Sequence, residues 1–308
     1  MPESLETLRI HCLVPWLLLA LLSSAPTIVL QAQDFSTTHV FPWSVFDREG
    51  RFVGGIKPEQ IRVKGVPGTV RHLTLETAPR RTILLLDSSG SMGPPNSRSW
   101  QDARQFAIEF VSRRQGTEQI AVHSFADGHQ VLAGFTTDSQ YLIRQIETFA
   151  GSGKGRTMLG SALAEILSTI DNGLEFGDAI VLASDGKQST ADKVGLDKLT
   201  PEFTRRGLRA LLMRVKPWMG FGTVDTADVG SFVKEIGGIQ MGELRSPAKA
   251  AQDSWNFLRT FYRVELETFK HLQKPNEFSL ELLDLHGKKM KKVKGYHPGH
   301  ILPPPAQP

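Results

Sequence analysis

The middle of the chain changes repeatedly between unbroken apolar runs and amphipathic stretches. The run at residues 82–86 ends in Asp87, and continuous apolar runs are typical of strands covered on both faces. Residues 99–114 instead space their apolar side chains at helical intervals, which predicts a helix with one buried face. That face carries Trp100, Ala103, Phe106, Ala107, Phe110 and Val111.

The same alternation continues to about residue 258. We predict strands at 120–125, 130–135 (an edge strand), 179–183 and 210–215, and helices at 139–149, 158–169, 201–206, 229–236 and 248–258. Strands that alternate with helices favour a doubly wound, mostly parallel sheet with helices on both faces. Residues 80–258 are therefore predicted to form one α/β domain.

The two flanks of this block are β-rich. Residues 39–65 contain two β-prone runs separated by residues 47–50, where Gly50 suits a hairpin turn. After the α/β block, residues 261–269 are predicted to form one strand. Residues 277–296 are predicted to form two strands joined at His286 and Gly287. Because chain termini commonly lie close together, we expect segments 34–79 and 259–299 to pair into one small β-domain.

The extreme ends differ in composition from the rest. Arg9 precedes an apolar run and small residues with possible cleavage positions at Ala25 and Ala32, so residues 1–33 are predicted to be a signal peptide. A retained anchor is the alternative. Export would place the protein in the periplasm, at the cell surface or outside the cell, without disulfides, because the single cysteine is Cys12. The proline-rich residues 300–308 are predicted to be an extended tail.

The charge balance narrows the classes of partner. The 36 basic and 32 acidic residues give a formal net charge of only +4, which gives little support for nucleic-acid binding. The densest basic run extends from Lys288 to Lys294 and is predicted to lie in a strand. Such a strand could contact a membrane surface or a polysaccharide, or its lysines could protect a sheet edge from pairing.

Polar residues suited to a metal follow the first buried strand of the α/β block. Asp87, Ser89 and Ser91 alternate directly after that strand, and Gly90 permits a turn that aims them at one point. Ligand sites of open α/β sheets form at the carboxyl ends of strands. Carboxylate and hydroxyl oxygens suit Mg²⁺ or Mn²⁺. A polar turn that caps the next helix would explain the same residues.

The segment DSSGSM resembles the D-x-S-x-S motif of the metal-ion-dependent adhesion site (MIDAS) in von Willebrand factor type A (VWA) domains. Two later segments, Gly-Arg-Thr ending at Thr157 and the buried run ending at Asp185, are similar to the other two parts of that site. The resemblance implies a Rossmann-like VWA domain over residues 80–258. It also implies a site in which Asp87, Ser89, Ser91, Thr157 and Asp185 bind Mg²⁺ or Mn²⁺. Arg156 and Ser184 depart from the family pattern without removing a ligand.

The flanking β segments resemble, more loosely, the arms of the bacterial VWFA-related domain family. By resemblance, the chain is expected to be an exported adhesion protein that binds an acidic side chain of a partner protein through the metal. The alternative is an envelope scaffold or assembly factor in which the metal is structural and another surface binds the partner. A loop at residues 217–222 could add specificity beside the metal.

Two other classes of function have weaker support in the sequence. Residues 151–157 resemble a phosphate-binding loop, but Lys154 is followed by glycine where that motif requires a hydroxyl, so no nucleotide is expected. Neither a G-x-S-x-G nor an H-E-x-x-H motif occurs, and His123 lies in a predicted strand, where packing or hydrogen bonding is the simpler role. We therefore expect no enzymatic activity.

Overall fold

The computed structural model describes residues 36–78, 80–170, 173–218, 226–269 and 272–304. The signal peptide predicted at residues 1–33 lies outside this part of the chain, as do the last four residues of the predicted tail. None of the helices within the described ranges has the length and apolar character needed to cross a membrane.

A six-stranded sheet forms the centre of the α/β block. Its strands, in spatial order, are β11 (Ile239–Glu243), β9 (Arg209–Arg214), β7 (Ala179–Ser184), β4 (Arg81–Asp87), β5 (Gln119–Phe125) and β6 (His129–Thr136). All neighbouring pairs are parallel except β5 and β6. The unbroken apolar run in β4 is fully buried, as expected for a central strand covered on both faces.

Helices cover both faces of this sheet. They are α1 (Arg98–Ser112), α2 (Ser139–Thr148), α3 (Leu159–Thr169), α4 (Leu196–Arg206), α5 (Val229–Glu235) and α6 (Pro247–Arg259). Alternate residues of β4 enter opposite cores: Leu84 and Leu86 pack with α1, α2 and α6, and Ile83 and Leu85 pack with α3, α4 and α5. The prediction of a doubly wound, mostly parallel α/β fold is confirmed.

The two ends of the described chain build a separate layer of β-structure. Its strands are β1 (Thr37–Asp47), β2 (Ile61–Lys64), β3 (Gly68–Glu76), β12 (Phe261–Thr268), β13 (Asn276–Glu277), β14 (Ser279–Leu282), β15 (Val293–Tyr296) and β16 (His300–Ile301). β15, β1, β12 and β3 form a four-stranded sheet, β14 pairs with β2, and β13 pairs with β16. These pairings enclose a third core, which includes Trp43 and Val264. The predicted small β-domain from both flanks is confirmed.

Several local predictions are wrong in detail. Strand β11 was not predicted, and α4 begins at Leu196 rather than near Pro201, which lies inside the helix. The turn at Gly50 forms, with a φ of 76°. The chain that follows it does not form a strand and makes only an isolated bridge, between Phe52 and Phe46. β1 instead pairs along its length with β12 and β15, because the long-range pairings satisfy more of its backbone groups than a short hairpin could.

Two predictions for the C-terminal region also need correction. The lysine run does not form one strand: Lys289 makes an isolated bridge, Lys291 and Lys292 lie in a turn, and only Lys294 belongs to β15. A turn at Gly287 (φ 74°) reverses the chain, and its arms meet only at a bridge between Leu283 and Lys289, while β14 pairs with β2 and β15 with β1. The tail does not begin at residue 300, because His300 and Ile301 form β16 and Ile301 is buried.

Two further short strands, β8 (Lys187–Ser189) and β10 (Thr226–Asp228), pair with each other beyond the carboxyl end of β7. Two 3₁₀ turns complete the secondary structure of the described residues, at Pro58–Gln60 and Gly90–Met92. The second of these follows β4 directly and brings the chain to the edge where the predicted metal ligands lie.

Candidate metal site

Two carboxylates emerge side by side at the carboxyl edge of the six-stranded sheet. Asp87 is the last residue of β4, and Asp185 directly follows β7. These strands are parallel neighbours with Leu86 opposite Ala183, so Asp87 lies level with Ser184 and Asp185 follows one residue further along the same edge. Asp87 is 0% exposed and Asp185 is 1% exposed. The fold therefore buries two like charges next to each other.

The carboxylate of Asp87 is held by hydrogen bonds on both oxygens. The Ser89 backbone N–H donates to Oδ1 at 2.9 Å, and the Ser184 hydroxyl donates to Oδ2 at 2.7 Å. The Ser184 hydroxyl in turn accepts from the Gly186 N–H at 3.1 Å. Ser184, a departure from the family pattern, therefore positions Asp87. No local sequence signal indicates this role, because it depends on strand pairing.

Three hydroxyl groups meet beside these carboxylates. The Ser89 and Ser91 Oγ atoms are 3.2 Å apart, and the Thr157 hydroxyl donates to Ser89 Oγ at 3.0 Å. Ser91 lies in the 3₁₀ turn after β4, whereas Thr157 comes from the loop before α3. The structure thus brings together residues from three separate segments, and all five predicted ligands lie in one place.

The capping alternative for this segment does not hold. The N-cap of α1 is Ser97, whose hydroxyl oxygen accepts from the Trp100 backbone N–H at 3.2 Å. Ser89 and Ser91 make no capping bond to α1 and instead contact each other and Thr157. Their hydroxyls are therefore not used for helix capping.

The threonine loop is anchored from two sides. Gly155 O accepts from the Gly90 N–H at 3.1 Å, and Asp127 Oδ1 accepts from the Arg156 N–H at 2.8 Å. Gly155 has a φ of 85°, and a Cβ atom there would lie 2.4 Å from Asp127 Oδ2. Only glycine fits this position. The exposed Arg156 contributes its backbone to the anchor, and Asp127 is a positioning residue that sequence reasoning missed.

The charges in the site are incompletely balanced by the protein. Burial, together with the charge of Asp185, raises the pKa of Asp87 to about 7, against the hydrogen bonds from Ser89 and Ser184. Burial also raises the pKa of Asp185, opposed by the Lys187 N–H, the Ser91 hydroxyl and the charges of Lys187 and Arg214. Asp185 Oδ1 accepts from the Lys187 N–H at 3.1 Å, but Oδ2 is buried without a hydrogen-bond partner.

The donor set fits a hard divalent cation. Across the described ranges, no group of three or more His, Cys, Asp or Glu side chains is arranged to hold a metal. A cation bound here would depend on two carboxylates and three hydroxyls, which are all oxygen donors. Such donors suit Mg²⁺ and Mn²⁺ better than metals that prefer nitrogen or sulfur ligands. The unpartnered Asp185 Oδ2 is the atom most in need of such a charge.

Part of the predicted specificity loop lies at the rim of this site. The Trp218 N–H donates to Ser91 O at 2.9 Å, and a Cβ atom on Gly93 would lie 2.5 Å from Trp218 Cγ. The indole thus packs directly on the turn that carries Ser91, while 41% of the residue stays exposed. Residues 219–222 of that loop lie outside the described residues.

His123 lies within β5 and is buried. Its Nδ1 is 2.8 Å from His129 Nε2, and His129 Nδ1 is 3.2 Å from Glu165 Oε1. Burial lowers the pKa of His123 to about 4. The imidazole is therefore packed and hydrogen-bonded within the strand layer, and it makes no contact with the five candidate ligands.

Comparison with known proteins adds a family match and several distant structural likenesses. The sequence profile of the von Willebrand factor type A domain matches residues 82–188. No curated protein is similar enough to the chain to be matched.

Among solved structures, an aerotolerance-related membrane protein from Bacteroides fragilis has 15% identity and a TM-score of 0.46, covering 58% of this chain and 98% of that one. A von Willebrand factor type A protein from Catenulispora acidiphila has 12% identity and a TM-score of 0.45, covering 87% and 74%. Proximal thread matrix protein 1 from the mussel byssus, with zinc in its MIDAS motif, has 16% identity and a TM-score of 0.48, covering 63% and 50%.

The profile match spans β4, the threonine loop and β7, which are the three segments that carry the candidate ligands. Together with the doubly wound sheet, it establishes that this chain contains a von Willebrand factor type A domain.

Proposed function

We propose that this chain is an exported binding protein whose VWA domain holds Mg²⁺ or Mn²⁺ and binds a carboxylate of a partner protein through that ion. The observation that carries the proposal is the buried Asp185 Oδ2, which has no hydrogen-bond partner beside a second buried carboxylate. Burying an unpaired charge is costly, and a divalent cation would offset both carboxylates at once.

The protein's own groups prepare the site for that ion. Ser89 and Ser184 fix the orientation of Asp87, and Lys187 fixes one oxygen of Asp185. The mutual contacts of Ser89, Ser91 and Thr157 keep three hydroxyl oxygens together. A bound Mg²⁺, which requires six oxygens, would have a coordination position left for a partner's carboxylate.

Binding rather than catalysis is supported by the sequence. It contains neither the nucleophile elbow nor the zinc-helix motif of hydrolases, and the buried His123 is engaged with His129 instead of a nucleophile. Export is supported by the leader-like composition of residues 1–33.

Partner capture from an envelope extract of the source cells tests the proposal. The protein would be immobilised in Mg²⁺, in chelator, and as Asp185→Asn in Mg²⁺. Of these three conditions, we expect a partner to be retained only with the unchanged protein in Mg²⁺. Asp197→Asn, the same change at an exposed position in α4, should retain it as well. Retention under all conditions would contradict metal-mediated binding and favour a scaffold with another binding surface.

A further inference from the structure

A large groove lies apart from the metal site, between the small β-domain and the edge of the six-stranded sheet. Its volume is about 1140 Å³. The turn after β1 and the start of β15 line one side, and β11 and α6 line the other. None of the five candidate metal ligands lines it. A ligand in this groove would therefore be bound independently of the metal.

The floor of the groove is aromatic and only partly covered. The Phe46 ring is buried and lies 5.9 Å from the Phe52 ring and 6.2 Å from the Tyr296 ring, between ring centroids. Phe52 and Tyr296 are themselves half-buried, as are Ile239 and Met241 of β11. This leaves apolar surface open to water in a concave site, which is characteristic of binding sites.

The walls carry more positive than negative charge, with seven cationic and three acidic side chains. All three acids are engaged within the groove: Arg51 binds Asp47 at 2.8 Å and Glu49 at 3.4 Å, and Lys249 binds Asp253 at 2.7 Å.

A third cation of the groove, Arg259, binds Glu118 at 2.8 Å. The other four, Arg48, Lys291, Lys292 and Lys294, are exposed, and no acidic partner for them occurs in the described part of the chain. The groove is therefore complementary to an anionic ligand.

Two sheet edges line the groove. β11 is the outermost strand of the six-stranded sheet, and β15 is the outermost strand of the four-stranded sheet. Gly242 of β11 faces open space, because a Cβ atom there would meet no atom within 4 Å. An extended chain could thus approach the backbone of β11 and pair with it, as in peptide recognition by strand addition.

We propose that this groove binds an extended, acidic peptide segment of a partner protein. In an extended chain, alternate side chains point to opposite sides. Apolar side chains on one side would contact Phe52 and Tyr296, and acidic side chains on the other would meet Lys291 and Lys292. A polysaccharide lacks the apolar side chains that such a floor accommodates, and a flat lipid surface does not fit into a concave groove.

Fluorescence anisotropy with a labelled eight-residue peptide of alternating Glu and Val tests the proposal. The titration would be done in chelator, so that failure of the metal site cannot affect the outcome. We expect saturable binding by the unchanged protein and none by Gly242→Trp, whose indole would fill the groove. Gly134→Trp is the matched control, because Gly134 lies in the opposite edge strand, β6, and also faces open space. It should bind as the unchanged protein does.

Two further comparisons separate charge from strand pairing. The double variant Lys291→Glu/Lys292→Glu should weaken binding at least about tenfold, whereas Lys288→Glu, an exposed lysine outside the groove, should not. A peptide N-methylated at alternate amides should also bind at least about tenfold more weakly, because it cannot pair with β11 along its length.

No binding of the Glu-Val peptide would overturn the proposal, as would unchanged binding by Gly242→Trp with a native circular dichroism spectrum. Equal affinity for the N-methylated peptide would overturn strand addition. Lysine-dependent binding of dextran sulfate or of phosphatidylglycerol vesicles, without peptide binding, would instead assign the groove to a polysaccharide or a membrane and contradict the peptide proposal.

Discussion

A buried charged side chain lies at each end of the six-stranded sheet, and the two differ in how completely the protein hydrogen-bonds them. At the amino end of β9, Arg209 is 2% exposed, and burial, with the nearby charge of Arg80, lowers its pKa to about 9. Its guanidinium donates to Leu258 O at 2.7 Å, to Ser44 Oγ at 3.2 Å and to Phe257 O. At the carboxyl end, Asp185 is equally buried but keeps one oxygen without a partner.

This difference suggests separate roles: the charge of Arg209 stabilises the fold, whereas the charge of Asp185 is available to bind a ligand. The Arg209 guanidinium also stacks over the rings of Phe257 and Phe261, at 4.5 and 4.4 Å from their centroids, so the protein itself completes its surroundings. The carboxylate pair retains a buried oxygen, Asp185 Oδ2, without a hydrogen-bond partner, and this is the atom that the proposed cation would contact. The comparison predicts that removing the charge costs stability at one end and ligand affinity at the other.

Among the changes considered, replacement of Arg209 should have the largest effect, on the free energy of unfolding. Arg209→Met removes the donors to Phe257 O, Leu258 O and Ser44 Oγ, which join α6 and β1 to the sheet. We expect a loss of about 3–5 kcal/mol in the free energy of unfolding, measured by urea denaturation. A loss below about 1 kcal/mol would show that these contacts are not a structural link.

At the carboxyl end of the sheet, Asp185→Asn should lower the affinity for the metal without lowering the stability of the protein. In chelator, the variant should be at least as stable as the unchanged protein, because the repulsion between two buried carboxylates is removed. The affinity for Mn²⁺, measured by isothermal titration calorimetry, should fall by about 100-fold or more. A large loss of stability in chelator would mean that Asp185 is structural, as Arg209 is.

A smaller effect is expected from the residue that orients Asp87. Ser184→Ala removes the 2.7 Å hydrogen bond to Asp87 Oδ2 without removing a candidate ligand. The affinity for Mn²⁺ should fall by about tenfold, which is typical for partners of metal ligands. Ser231→Ala, at an exposed hydroxyl in α5, is the control. Equal affinities in all three proteins would refute the positioning role of Ser184.

The smallest effect concerns His297, a half-buried histidine of the small β-domain. Burial lowers the pKa of His297, although the Pro298 carbonyl partly opposes the shift. Its Nε2 lies 3.3 Å from the Leu280 N–H, and its Nδ1 lies 2.7 Å from Pro298 O, so the neutral ring accepts one bond and donates the other.

Because its folded pKa is below the unfolded value of about 6.5, His297 contributes full stability above pH 6.5 and loses it as the pH falls through the folded pKa. His297→Gln should flatten this part of the stability curve, measured by thermal unfolding between pH 7.5 and 4.5. An unchanged curve would contradict the assignment.

Much of the α/β block could be predicted because its signals are local. The apolar run of β4 and the helical spacing of α1 depend only on neighbouring residues, and both elements formed where expected. Strand β11 was missed because Gly237, Gly238 and Gly242 interrupt any apolar run around it. It forms through parallel pairing with β9, which the local sequence does not encode.

The candidate ligands could be named from a motif, but their supports could not. Ser184 contacts Asp87 across 97 positions of sequence, and Asp127 contacts Arg156 across 29. The groove is built from the turn after β1, from β11 and from β15, which only the fold brings together. Such features depend on tertiary packing and become visible only in the structure.

We propose that one divalent cation is bound jointly by Asp87, Ser89, Ser91, Thr157 and Asp185. Anomalous diffraction from crystals soaked in Mn²⁺ tests it most directly. We predict a single strong peak among the oxygens of these five residues, absent from crystals of Asp185→Asn. A peak elsewhere, or none at a Mn²⁺ concentration in the millimolar range, would show that these residues do not form a metal site.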